Sequence, residues 1–164
     1  MSGKTLGIDL GATKIHIGVV LNSEVIEELT LPTESMATKE KIVGNLISGI
    51  EELKNSDFYG IGIGVPGLVD EEKGVIYDLN NIPSWKEVHL KNNLEDHFKK
   101  PVRITNDANV FAMGEKFFGR GRPYKNLVGV TLGSGLGTGI IINHKLYSGT
   151  YSSAGELGLL PYLG

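Results

Sequence analysis

Leu6, Ile8 and Leu10 alternate with Gly7 and Asp9, and this period of two predicts a strand. Ile15–Leu21 predicts a second strand, joined to the first by a glycine-rich hairpin turn. Asn22-Ser23-Glu24 is the next turn, and Val25–Leu31 a third strand stopped by Pro32. The period then changes. Ile42, Val43, Leu46, Ile47, Ile50 and Leu53 share one face of a helix capped by Thr38 and running to about Lys54. Tyr59–Val65 reads as a short buried strand ended by Pro66-Gly67, and Gly74–Tyr77 as another. Leu90–Lys99 is helical and stops before Pro101. Val102–Thr105 is a strand, and Asn106-Asp107 caps a helix to about Phe118. Gly119-Arg120-Gly121-Arg122-Pro123 is flexible, polar and proline-terminated, the expected linker between a domain of residues 1–118 and a second of 119–164.

Beyond that segment the opening pattern returns. Gly7–Ala12 lies over Gly129–Ser134 at an offset of 122, and Gly18–Asn22 over Gly139–Asn143 at 121. Each copy is strand, glycine-rich turn, strand, Asn-led turn, strand, which points to an internal duplication. The alternative is a chance likeness between hairpins rich in Gly, Ile and Val. Residues 129–164 leave no room for the helices of the first copy, so the second domain is expected to be cut short.

Composition narrows the classes. With 164 residues, 40% hydrophobic and 21% charged, the chain can bury a core and holds one domain or slightly more. Its 16 Lys+Arg against 19 Asp+Glu give a net charge of −3, which excludes a broadly basic nucleic-acid surface. The absence of cysteine excludes a disulfide framework, a thiol nucleophile and Cys-ligated zinc in these residues. No apolar run approaches the roughly 18 residues of a membrane span, and Met1–Thr5 lack a signal peptide's apolar stretch. A soluble cytoplasmic protein without nucleic-acid or membrane partners is the expectation. Glycine is the outlier: 23 residues, about twice average usage, clustered rather than spread.

Two clusters carry candidate chemistry, Asp9-Leu10-Gly11-Ala12-Thr13-Lys14 and Gly133-Ser134-Gly135-Leu136-Gly137-Thr138-Gly139. Glycine lets backbone N–H groups approach an anion closely and lets a turn adopt positive φ. A facing pair of such hairpins would clamp a polyphosphate; either alone is also an ordinary hairpin turn. Asp9, a carboxylate in an otherwise apolar strand, favours phosphate binding. Gly62–Gly67 matches G-x-G-x-x-G, but the dinucleotide motif must open a helix, and Pro66–Asp70 reads as a turn. No G-x-x-x-x-G-K-[ST] occurs, and His16, His89, His97 and His144 show no metal-ligand spacing. Asp107 is either part of a helix cap or a general base at a strand's carboxyl end. Glu156, beside glycines, is either solvated or functional.

Gly7–Lys14, Gly64-Val65-Pro66-Gly67, Asn106-Asp107-Ala108-Asn109, Leu132–Gly139 and Ala154-Gly155-Glu156-Leu157-Gly158 resemble motifs of the ROK (repressor, open reading frame, kinase) family, in the same order. The resemblance covers nearly the whole chain. It implies an actin-like (ribonuclease H-like) α/β sugar-kinase fold of two domains flanking a cleft, with the first domain and the start of a duplicated second present here. It further implies ATP-dependent phosphorylation of a hexose, as in bacterial glucokinases. On that likeness Asp107 is the catalytic base, and Asn106, Asp107 and Glu156 bind the sugar. Gly67 and Asn81 line its pocket, with Asn80 an alternative to Asn81. Asp9 helps hold Mg2+. Gly11, Ala12, Thr13, Lys14, Gly133, Ser134, Gly135 and Gly137 bind the nucleotide's phosphates. The implied partners are a hexose and ATP, with homo-oligomerisation left open.

The sequence departs from the family pattern in two ways. Leu159 stands where many members have a His that serves sugar and zinc, and the Cys-rich zinc motif and adenine-binding segments are absent, so no zinc is expected. Two rival functions share the likeness. A sugar-sensing regulator would carry a DNA-binding helix-turn-helix before Gly7, where only six residues stand. A non-catalytic sugar-binding or dimerisation fragment is the other.

Overall fold

The computed structural model describes residues 3–53, 57–133, 135–159 and 161. The chain forms two compact units, Met1–Thr105 and Asn106–Gly164. Among the described residues no helix is long and apolar enough to cross a membrane.

In the first unit the alternating opening folds into three antiparallel strands, β1 (Lys4–Leu10), β2 (Lys14–Leu21) and β3 (Glu24–Pro32). Leu6, Ile8 and Leu10 of β1 and Ile15, Ile17 and Val19 of β2 turn to one face and are buried. The helix α1 (Lys39–Glu52) covers that face with Ile42, Leu46 and Ile50. Thr38 starts it as predicted, its hydroxyl oxygen accepting from the Lys41 amide at 3.3 Å. Gly49 permits the close approach: a Cβ there would stand 2.7 Å from Leu31 Cδ2 and 3.0 Å from Ile17 Cδ1. Lys54, the expected helix end, lies outside the described residues.

β4 (Phe58–Val65) runs parallel to β1. Three short strands follow, β5 (Leu68–Asp70), β6 (Val75–Tyr77) and β7 (Glu87–Val88), forming a small antiparallel sheet. Here one expectation is corrected: only Pro66-Gly67 turns, and Leu68–Asp70 form a strand against β6. A three-residue strand is too short to show alternation. After α2 (Leu90–Phe98) and its left-handed cap Lys99 (φ 54°), β8 (Val102–Asn106) completes a five-stranded sheet in the order β3-β2-β1-β4-β8. The large buried cluster runs from Leu6 to Ile104, all within this unit.

The second unit contains α3 (Asp107–Phe117), β9 (Leu127–Leu132), β10 (Leu136–Ile142) and β11 (Lys145–Leu146), followed by a 3-10 turn at Leu157–Leu159. Its sheet has the order β11-β10-β9, and the duplication is visible in its register. Gly7 pairs with Gly18 in the first hairpin, and the corresponding Gly129 pairs with Gly139 in the second. The first turn lies between the Leu10–Ile15 pair, the second between Leu132–Leu136. The second turn is therefore one residue shorter, which accounts for the change of offset. The next turns match as well: Asn22 and Ser23 have φ of 52° and 70°, Asn143 and His144 of 52° and 64°. Positive φ at both central residues is the type I′ hairpin turn, for which Asn is favoured.

The units divide ahead of α3, whereas the sequence places the boundary after it. The reason is that α3 packs on the second sheet. A Cβ on Gly129 would stand 2.9 Å from Ala112 Cβ, and one on Gly139 2.6 Å from the same atom. Nor is the glycine-arginine segment an open linker. The Gly121 amide donates to the Glu115 carbonyl at 2.9 Å, and the buried Lys116 donates Nζ to the Arg122 carbonyl at 2.8 Å. The segment is folded back on the end of α3.

Candidate functional site

In the first unit, Asp9 is exposed near the end of β1, opposite His16 on one side and Gly64 on the other. The turn Gly11–Lys14 follows it. It is closed by the Gly11 amide donating to the Lys14 carbonyl at 2.9 Å. Gly11 does not take a positive φ; its requirement is close approach, since a Cβ would stand 3.1 Å from the Lys14 carbonyl oxygen. The Ala12 and Thr13 amides have no hydrogen-bond partner among the described residues. Two such neighbouring N–H groups at a turn can receive an anion.

Gly67 lies against Leu79, two residues before Asn81. Gly67 has φ +81°, and a Cβ there would stand 2.6 Å from Leu79 Cδ2. Leu79 opens a turn closed by the Ile82 amide on the Leu79 carbonyl at 3.0 Å. Asn80 and Asn81 are its central residues and both are exposed, so the structure presents the two alternatives side by side.

The second unit brings Asn106, Asp107 and Glu156 into relation. Asn106 is the N-cap of α3, and its Oδ1 accepts from the Ala108 amide at 2.8 Å. Asp107 begins the helix, is exposed, and its Oδ1 shares the same amide at 2.8 Å. Capping and carboxylate thus fall to neighbouring residues. Burial lifts the Glu156 carboxyl above the usual carboxylate range, and the negative charge of Asp107 lifts it further. The two carboxyl groups feel one another across the start of α3.

Glu156 is held there by Thr138 and Gly155, which the sequence shows as members of its glycine-rich motifs but without this role. The buried Thr138 of β10 donates its hydroxyl to the Gly155 carbonyl. Gly155 lies at φ +93°, where a Cβ would meet the Thr138 carbonyl oxygen at 2.4 Å, so only glycine fits. A lone Thr in a strand offers no sequence signal for this. In the second glycine-rich turn the Gly133 amide donates to the Gly135 carbonyl at 3.0 Å. Ser134 lies outside the described residues. Gly137 has a packing reason of its own, since a Cβ would stand 2.9 Å from Ala108 Cβ of α3.

Residues 5–162 match the description of the ROK family. The chain belongs to the ROK family. Its similarity extends to a glucokinase of Streptomyces coelicolor, 38% identical over 158 residues, covering 95% of this chain and 49% of that protein. It extends equally to the xylose repressor of Caldicellulosiruptor bescii, 39% identical over 164 residues, covering 95% of this chain and 41% of that protein. Among solved structures, a ROK family glucokinase from Streptomyces griseus, in complex with glucose and AMPPNP, matches with a TM-score of 0.86 at 36% identity, covering 95% of this chain and 50% of that one. The fold is the actin-like α/β fold of ROK sugar kinases. The chain spans about half the length of the curated relatives it matches.

Proposed function

We propose that this ROK chain carries sugar- and phosphate-handling residues of an ATP-dependent hexose kinase of the glucokinase type. The observation that carries the reading is the start of α3, where Asn106 caps the helix and leaves the Asp107 carboxylate exposed in its first turn. Burial, and then the Asp107 charge, raise the Glu156 carboxyl. The similarity to glucokinases supports it. Asp107, exposed at the first turn of α3, takes the proton of a sugar hydroxyl, that of C6, as the hydroxyl oxygen bonds to the γ-phosphorus. The bond from that phosphorus to the bridging oxygen breaks, leaving ADP and the sugar phosphate. A carboxylate suffices because phosphoryl transfer rests on positioning and charge stabilisation rather than covalent catalysis. Asn106 and Glu156 bind sugar hydroxyls, and Gly67 with Asn81 belongs to the sugar-lining segments of the first unit.

The turns at Gly11–Lys14 and Gly133–Gly137 receive phosphate oxygens. A single exposed carboxylate, Asp9, beside open amides fits Mg2+ that arrives with nucleotide phosphates, because such an ion takes one or two protein carboxylates and keeps phosphate and water as its other ligands. When bound, Mg2+ supplies charge neutralisation at the phosphates. Among the described residues no three His, Cys, Asp or Glu side chains form a metal-holding group, and zinc has no part in the proposal.

The xylose repressor similarity favours a second reading, a regulator that binds sugar without phosphorylating it. Sugar-dependent ADP release, measured in the whole protein with glucose and with xylose, separates the two. The kinase reading expects release with a hexose, and a fall of about 10²–10⁴-fold in Asp107→Asn with sugar affinity retained. Sugar binding with no ADP release in the wild type would favour the regulator.

A further inference from the structure

We propose that Thr33 is a positioning residue for the first glycine-rich turn, holding it in the shape that offers the Ala12 and Thr13 amides to phosphate. The proposal rests on the phosphate-binding reading of that turn. Thr33 follows β3 and is fully buried, one of few polar side chains so placed among the described residues. Its hydroxyl donates to the Gly11 carbonyl at 2.7 Å, and its own amide donates to the Thr13 carbonyl at 3.0 Å. One residue therefore grips the turn at both ends.

The geometry has a directional consequence. A peptide unit is planar, so a carbonyl that points one way sends the N–H of the next residue the other way. The Gly11 carbonyl is fixed toward Thr33, and the Ala12 amide belongs to the same peptide plane. The Thr13 carbonyl is likewise drawn to the Thr33 amide. Without the hydroxyl, the Gly11–Ala12 peptide is released to rotate, and its N–H no longer has a fixed direction before a ligand arrives. Binding must then supply the ordering that Thr33 supplies in advance. Burial strengthens the device, because a hydroxyl shut away from water keeps its bond to the one acceptor in reach. The sequence gives no hint of it: Thr33 stands in a Pro-Thr-Glu loop outside the motif it serves.

The test titrates inorganic tripolyphosphate into this chain and follows the backbone amide signals of Ala12 and Thr13 by nuclear magnetic resonance. Exchange of the Gly11 amide with solvent is recorded on the free protein. Wild type should shift both signals on titration. Thr33→Val, which keeps the shape and loses the hydroxyl, should bind about 2–12-fold more weakly, as expected for one lost hydrogen bond, and exchange Gly11 faster. Thr33→Ser should behave as wild type in both respects, and hexose affinity should be the same in all three. If Thr33→Val does not fold, Thr33→Ala carries the same expectation. Wild-type tripolyphosphate affinity and Gly11 exchange in a folded variant lacking the hydroxyl would overturn the role of Thr33. A wild-type chain whose Ala12 and Thr13 signals ignore tripolyphosphate would instead overturn the phosphate reading itself, and the proposal with it.

Discussion

The two β-meanders share their register, their turn geometry and their paired glycines, yet they bury opposite faces. In the first, Leu6, Ile8 and Leu10 are 1%, 4% and 0% exposed under α1. The corresponding Val128, Val130 and Leu132 are 58%, 48% and 84% exposed. In the second meander the helix lies instead on the glycine face, where Ala108 and Ala112 of α3 approach Gly137, Gly129 and Gly139. The same face in the first meander is open: a Cβ on Gly7 would meet nothing nearer than Val20 Cγ2 at 3.9 Å. A helix with large side chains takes the large-residue face, and one with small side chains takes the glycine face. One sheet motif thus accommodates two kinds of helix, and the choice follows from side-chain size on both partners.

The comparison breaks most visibly at its equivalent leucines. Leu10→Ala should cost about 2–5 kcal/mol as a buried truncation, while Leu132→Ala should stay within about 0.5 kcal/mol. Urea unfolding of the two variants measures the difference directly, and equal losses would mean that the second face is covered in solution. The paired glycines sharpen it next. Gly139→Ala places a methyl 2.5 Å from the Ala108 carbonyl oxygen and 2.6 Å from Ala112 Cβ. It should destabilise by about 1–3 kcal/mol through overpacking. Gly18→Ala, whose Cβ meets Val25 Cγ1 at 3.3 Å, should cost less in the same denaturation assay.

The smallest effect is a pH dependence confined to the second unit. Folding raises the Glu156 pKa above its ordinary value of 4.5. The folded protein therefore holds that proton to higher pH than the unfolded chain. The stability contributed is fully present below the ordinary value and is lost as pH rises through the folded one. Glu156→Gln should flatten the decline of melting temperature above pH 4.5, and a decline as steep as that of the wild type would contradict this.

The elements that were legible in the sequence are those with a long enough period. The alternation in β1 and β2, the strand β3 stopped at Pro32, and the six-residue apolar face of α1 with its Thr38 cap emerged with bounds within a few residues. Glu87–Val88 left no trace, because two residues carry no periodicity. Lys145–Leu146 is equally short and was legible only through the repeat, as the strand after the second Asn-led turn. The domain boundary was misplaced for a different reason. Glycine and arginine at 119–122 look like a linker, but the long Lys116 side chain reaches back to their carbonyls, a contact that no local pattern encodes. At the candidate site the sequence displayed the residues with unusual chemistry, Asp9, Asp107 and Glu156. It hid those that hold them, because Thr33 and Thr138 act through buried hydroxyls whose acceptors lie 22 and 17 residues away.

Calorimetric titration of glucose into the wild type, Glu156→Ala and Asp107→Asn tests the central claim, that Asn106, Asp107 and Glu156 form a sugar site with Asp107 as its base. Wild type and Asp107→Asn should bind glucose with similar affinity, since the amide still offers a hydrogen-bonding oxygen. Glu156→Ala should bind more weakly by about 0.5–3 kcal/mol. Unchanged affinity in Glu156→Ala, or loss of binding in a folded Asp107→Asn, would contradict it.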